Sequence, residues 1–203
     1  MKKILFLIVL ITVGLFSAEI APAQDWNSLK EAFRTIRSVK AEFLQKRYLQ
    51  ILTKPLPSEG KLFFSTPDSL RWEYLTPLRS VMLQKGDTIQ LYHFSEGVWK
   101  PEMTQAVESR RMVLAEISQW VQGRFDESKA FTHLYFPGPP ARVILAPKEG
   151  INRFIHRIEI VLSARSGVID RVEIEELGGS RTSIEFRNVE INSSIPSEIF
   201  EKP

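Results

Sequence analysis

Gly60-Lys61-Leu62-Phe63-Phe64-Ser65-Thr66-Pro67-Asp68-Ser69-Leu70-Arg71-Trp72-Glu73-Tyr74-Leu75-Thr76-Pro77 is the stretch that decides the fold. Leu62 and Phe64 alternate with other residues at a period of two. After the turn signal Thr66-Pro67-Asp68 the alternation resumes with Leu70, Trp72 and Tyr74, while Arg71 and Glu73 fall between them. A period of two with apolar and charged residues alternating is a strand covered on one face and solvated on the other. A Pro-Asp turn between two such runs predicts a hairpin.

The habit extends outward in both directions. Val81 and Leu83, then Ile89 and Leu91, continue it towards residue 100. Later, Phe154, Ile158, Ile160 and Leu162 share a face, as do Val168, Val172 and Ile174, and then Ile184 and Phe186. Charges occupy many opposite positions, among them Arg157, Glu159, Arg171, Glu173, Glu175, Glu185 and Arg187. Turn signals separate the runs at 57–60, 85–87, 95–97, 137–140, 165–167 and 178–180. The pattern predicts roughly eleven strands, over 41–51, 58–65, 69–75, 79–84, 88–94, 97–100, 131–136, 141–146, 153–162, 168–176 and 181–190.

Two helical stripes interrupt the strands. Trp26, Leu29, Phe33 and Ile36 predict a helix over 25–38, with Ser28 and Glu31 spaced as a capping box and Asp25 as a competing N-cap. A second stripe, Val107, Val113, Leu114, Ile117, Trp120 and Val121, predicts a helix from Thr104 to Gln122 capped by Gly123. Two helices about 10 Å wide cannot cover eleven flat strands spaced about 4.8 Å apart. The antiparallel sheet must curl around them. The expected fold is therefore mainly β: an unclosed half-barrel with helices packed in its concave side.

The N-terminus reads as an address. Met1-Lys2-Lys3 is basic, Ile4–Phe16 is apolar, and Ala21-Pro22-Ala23 is a small-x-small cleavage pattern. This is the layout of a secretory signal peptide over residues 1–23, followed by one domain over 24–203. The apolar run rises only about 20 Å as helix, short of a bilayer core of about 30 Å. The expected location is the periplasm.

Of the 203 residues, 43% are hydrophobic and 25% charged, the balance of a globular chain. The net charge of +3 falls by one once Lys2, Lys3 and Glu19 leave, and it is spread along the chain. That argues against nucleic acid as a partner. With 0 cysteines, thiol catalysis, cysteine-ligated metals and lipidation at an N-terminal cysteine are excluded. His93, His133 and His156 have no metal-ligand spacing, and Glu173, Glu175 and Glu176 read as a solvated strand edge beside Arg171 and Arg187. There is no Gly-x-Ser-x-Gly, Walker loop or Gly-x-Gly-x-x-Gly. The expectation is a protein without catalytic residues, resident metal or cofactor.

A set of ordered motifs carries a resemblance. They are Phe43-x-Gln45-Lys46, Gly60-Lys61-Leu62-Phe63-Phe64, Pro67-x-x-Leu70-Arg71-Trp72-x-Tyr74-x-x-Pro77, Gly86-Asp87-Thr88-Ile89-x-Leu91-Tyr92, Leu145-x-Pro147, Gly167, Thr182-x-x-x-Phe186 and Asn192-x-x-Ile195-Pro196-x-x-x-Phe200. Over residues 26–200 the chain resembles the outer-membrane lipoprotein carrier (LolA) family. The resemblance implies an eleven-stranded unclosed barrel with an apolar cavity. It implies a monomeric carrier that takes acylated lipoproteins or lipids from an inner-membrane ABC transporter to an outer-membrane receptor. Alternation then assigns an acyl-chain cavity. Its wall is Leu62, Phe64, Leu70, Trp72, Tyr74, Val81, Leu83, Ile89 and Leu91 in the first half, and Ile158, Ile160, Val172, Ile174, Ile184 and Phe186 in the second. Val113, Ile117 and Trp120 on the second helix form the lid. Family members have an arginine immediately before the proline of the third-strand turn, where it helps to close the lid. Here that position is Thr66, which leaves open a different acylated cargo, such as a glycolipid. Each cavity residue is equally consistent with plain core. Two other readings stay open: an enzyme or enzyme accessory acting on envelope lipid or polymer, and an envelope binding module that transports nothing.

Overall fold

The structure, a computed structural model, describes residues 25–102, 115–153 and 155–203. Helix α1 (Trp26–Arg34) opens it, capped by Asp25, whose carboxylate accepts the Ser28 N–H at 2.9 Å. That hydrogen bond lowers the Asp25 pKa. The helix stops before the expected residue 38 because the next backbone groups are claimed by the sheet. Arg37 N–H donates to Asn192 Oδ1 at 2.7 Å, and Arg37 C=O accepts the Thr66 N–H at 2.9 Å.

Eleven strands follow: β1 (Ser38–Tyr48), β2 (Leu56–Ser65), β3 (Ser69–Thr76), β4 (Ser80–Lys85), β5 (Thr88–Ser95), β6 (Val98–Pro101), β7 (Phe131–Phe136), β8 (Arg142–Pro147), β9 (Ile155–Leu162), β10 (Ile169–Glu176) and β11 (Arg181–Ile191). They form one antiparallel sheet in the order β6-β5-β4-β3-β2-β1-β11-β10-β9-β8-β7. Two meanders, β1–β6 and β7–β11, are thus joined along the β1–β11 seam. The end strands β6 and β7 are not paired with each other, so the sheet is unclosed.

Between the meanders, residues 115–120 are helical and end in a turn at Gly123, which has φ +68°. A Cβ on Gly123 would meet Phe33 Cβ at 2.3 Å, so the glycine serves both the left-handed turn and the close approach to α1. Most of the expected second helix, including Val107 and Val113, lies outside the described residues. So does Phe154. After β11 the chain crosses beneath the sheet and ends in a 3-10 turn, Ser197–Phe200, packed against β3 and β4.

Candidate functional site: the concave face

Register decides which side chains share the concave face. Leu62 pairs with Trp72, Phe64 with Leu70, and Gly60 with Tyr74. Trp72 pairs in turn with Met82, Met82 with Leu91, and Gln84 with Ile89. Across the seam Phe43 faces both Gly60 and Phe186. Beyond it, Ile184 pairs with Val172, Val172 with Ile160, Ile174 with Ile158, and Ile158 and Ile160 with Leu145 and Val143. The structure therefore brings thirteen of the fifteen sequence-assigned wall positions to one face. Ten of these are buried in the main hydrophobic cluster, and Tyr74, Ile89 and Phe186 pack against it half-buried.

Val81 and Leu83 are a correction. They pair across β3 with Glu73 and Arg71, not with Trp72, so they lie on the convex face. They are buried all the same, at 1% and 3% exposure, and stand apart from the concave cluster. The C-terminal 3-10 turn covers that face. Arg71 Nη1 donates to the carbonyls of Ile199 at 3.1 Å and Lys202 at 2.6 Å, while its Nε pairs with Glu73 at 2.9 Å. Sequence reasoning also left out Met82, Val143 and Leu145, which belong to the concave face, and Phe43, Val39 and Ala41 of β1. In 142–147 the run Val143-Ile144-Leu145 is apolar on both faces, so only the pairing of Val143 with Ile160 and Leu145 with Ile158 fixes which face is concave.

The aromatic centre depends on Gly60. Phe43 stacks on Trp72 at 4.2 Å between ring centroids, with Tyr74 edge-on at 5.3 Å, and Phe186 meets Trp72 edge-on at 6.1 Å. A Cβ on Gly60 would sit 2.3 Å from Phe43 Cζ and 2.0 Å from Glu73 O. Tyr74 Oη donates to Gln45 Oε1 at 2.9 Å, which keeps its polar end satisfied on an apolar surface.

Covering this face are Leu29, Phe33 and Ile36 of the α1 region, Ile117, Trp120 and Val121, and Phe125 after the turn. Phe125 lies edge-on to Phe33 at 5.4 Å, and Trp26 stacks on His133 at 4.8 Å. Lys30 clamps the two helical pieces through Asp126 at 2.9 Å. A crevice remains between the helical cover and the seam, lined by Phe33, Val39, Ala41, Leu62, Val121 and Phe186 among others. Its volume of about 30 Å³ suits a water molecule and is far too small for an acyl chain. Among the described residues, the cover packs directly against the concave face.

A carboxylate is buried inside the cover. Glu116 is 8% exposed; its Oε1 accepts the Ser128 hydroxyl at 2.9 Å, and its Oε2 has no partner among the described residues. Burial raises its pKa, with the Ser128 hydrogen bond and the Lys148 charge opposing. Thr66 sits half-buried at the far end, its N–H bonded to Arg37 C=O at 2.9 Å. Glu173, Glu175 and Glu176 pair with Arg171 at 3.3 Å, Arg157 at 2.9 Å and Arg47 at 3.4 Å. Among the described residues, no group of three or more histidines and carboxylates could hold a metal.

A curled, unclosed antiparallel sheet whose apolar concave face is sealed by short helical segments defines a class of half-barrel proteins built around a coverable apolar surface. The family described as outer membrane lipoprotein carrier protein LolA matches residues 34–202, and the chain belongs to that family. An outer-membrane lipoprotein carrier protein of Dechloromonas aromatica (strain RCB) is 26% identical over 186 residues, covering 89% of this chain and 84% of that one. Its counterpart in Psychromonas ingrahamii is 30% identical over 129 residues, 59% of this chain and 60% of that one. Among solved structures, a LolA-superfamily protein from Nitrosomonas europaea aligns with a TM-score of 0.44 and 10% identity, covering 89% of this chain and 98% of that one.

Proposed function

We propose that this protein is a periplasmic carrier that shelters the acyl chains of lipoproteins, or of another acylated lipid, against its concave face. In this reading residues 1–23 are removed on export, and the carrier works as a monomer. An inner-membrane ABC transporter loads it and an outer-membrane receptor unloads it. Its work is binding, not catalysis. The observation that carries the reading is the construction of the interior. A continuous apolar surface, from Leu91 through Trp72, Phe43 and Ile184 to Leu145, is covered by short helical segments and not by a second sheet.

The physics suits a carrier. An acyl chain in water carries a burden of about 0.8 kcal/mol per exposed CH₂, so a transported lipid needs an apolar host. The host must also release it. Because Ile117, Trp120 and Val121 pack on the face, loading in this reading requires them to move, and the incoming chain replaces contacts that the cover gives up. Affinity is then the difference between two similar burials, which keeps it moderate. Val113 belongs to the same proposed lid by its helical spacing.

The test is mass spectrometry of protein purified from the periplasm, combined with displacement of a fluorescent fatty acid. A carrier holds acylated molecules and exchanges the probe. Protein that is lipid-free and does not take up the probe would overturn the reading and favour a binding module that transports nothing.

A further inference from the structure

The two rims of the sheet are unlike. Because all neighbouring strands pair antiparallel, the hairpins β10–β11, β1–β2, β3–β4 and β5–β6 turn at the same end, together with β8–β9 beyond the first of them. Successive tips along this rim are two strands, or about 10 Å, apart. The first four tips bear an exposed aliphatic side chain, Leu177 on the first, Ile51 and Leu52 on the second, Leu78 on the third and Val98, the first residue of β6, on the fourth, while the β8–β9 tip bears none among the described residues. Ile51 and Leu78 are exposed by 88% and 81%, values that leave them nothing to pack on. The first two tips touch, since a Cβ on Gly179 would lie 2.0 Å from Gln50 Nε2. At the opposite rim, the turns at 66–68, 86–87 and 163–168 carry no exposed large hydrophobic residue, and the 137–141 turn is flanked by one, Phe136 at 41% exposure.

Exposed cations without a carboxylate partner among the described residues lie at both rims, Arg37 and Arg165 at the opposite one. Lys54 on the second tip and Arg79 on the third are exposed and have no carboxylate partner among the described residues. Arg79 is held in place over Phe94 at 4.5 Å and Trp99 at 5.3 Å, and Arg181 lies over Tyr48 at 4.3 Å. The nearby carboxylates are neutralised: Glu176 by Arg47 at 3.4 Å, Glu175 by Arg157 at 2.9 Å, and Glu96 by Lys100. Glu59 and Glu149 have no ion pair among the described residues; Glu59 is set back along β2 from its tip, and Glu149 lies on the β8–β9 tip, away from the aliphatic ones.

Aliphatic tips spaced along one edge, backed by unpaired cations and by Tyr48 and Trp99, match an interface with acyl chains below and anionic headgroups above. A protein partner would call for a contiguous apolar patch. These side chains are spread along four hairpin tips of the rim, which suits a fluid surface that closes around each. We infer that this rim docks the protein, weakly and reversibly, on the surface of an anionic phospholipid bilayer. The inference concerns a surface distinct from the concave face and goes beyond the carrier reading.

The absence of cysteine permits a clean test. A polarity-sensitive fluorophore is placed on Leu78→Cys or Leu177→Cys at this rim, and on Asp87→Cys at the other, in the exported chain. Vesicles of phosphatidylethanolamine and phosphatidylglycerol should blue-shift both rim labels and leave the Asp87→Cys label unchanged. Lys54→Glu with Arg79→Glu should abolish the shift. In vesicle sedimentation of unlabelled protein, Ile51→Ser with Leu78→Ser should weaken binding by about tenfold or more. These side chains are exposed, so the fold survives their loss. Rim labels that stay unshifted, labels at both rims that shift alike, or undiminished sedimentation of the double serine variant would each overturn the inference. Failure of the carrier reading is seen separately, as loss of fatty-acid uptake while vesicle docking persists.

Discussion

Replacing Trp72 with alanine separates a filled interior from an open cavity. Trp72 is 1% exposed, stacked on Phe43 at 4.2 Å and edge-on to Phe186 at 6.1 Å. Large-to-small changes of a packed tryptophan cost about 3–5 kcal/mol, from lost transfer energy and the void left behind. The indole Nε1 has no hydrogen-bond partner among the described residues, so the substitution strands no polar group. The loss is therefore one of packing alone. Trp72→Ala should lower the melting temperature by about 6–20 °C, at roughly 2–4 °C per kcal/mol for a chain of this size. Urea unfolding followed by circular dichroism should give the same loss with an unchanged slope. A cost under about 1 kcal/mol, accompanied by altered fatty-acid affinity, would refute the packed interior and make this face an open cavity at rest.

Other outcomes follow from the convex face and the cover. Leu83→Ala should cost about 2–5 kcal/mol in urea unfolding and leave fatty-acid uptake intact, because Leu83 is buried on the face away from the helical cover. Arg71→Ala leaves Glu73 and the carbonyls of Ile199 and Lys202 unpaired; a loss of about 3–5 kcal/mol and rapid proteolysis after residue 193 are expected. Glu116 has a raised pKa in the fold, so the folded state binds its proton more tightly than the unfolded chain. Stability from this group is complete below its ordinary value of 4.5 and falls as pH rises through the elevated value. Glu116→Gln should thus stabilise the protein at neutral pH and flatten its acid-side dependence, as measured by thermal melts across pH 4–8.

Much of this architecture is legible in the sequence because period-two alternation is a direct image of the pleat. The run Leu62 to Tyr74 gives both strand limits and faces, since Arg71 and Glu73 mark the side turned from the core. β4 does not yield in the same way. Val81-Met82-Leu83 is apolar on both faces, so alternation there has no phase. The phase is set by the pairing of Met82 with Trp72, a fact of register and not of composition. Convex burial of Val81 and Leu83 also depends on a tail more than a hundred residues away, whose signal is only Ile199 and Phe200 near the terminus. Phe125 escaped for a related reason: it follows the helix, outside any periodic run, and enters the core because Gly123 turns the chain against Phe33.

The seam between the two meanders also governs the order in which the molecule can be completed. β1 is among the first elements to emerge during synthesis, and its partner β11 among the last, so their pairing spans most of the chain. Glu42 and Asn188, joined at 2.7 Å, are separated by 146 residues. Strands β1–β6 can form a local meander early, at low loop-closure cost. That half-sheet has one hydrogen-bonding edge of β1 bare and its apolar face without the 115–125 segment. Such a species is exposed to mispairing and association until the C-terminal third arrives. The fold therefore favours late, concerted closure over vectorial assembly, and a chain kept extended until its last strand is available avoids the vulnerable intermediate altogether.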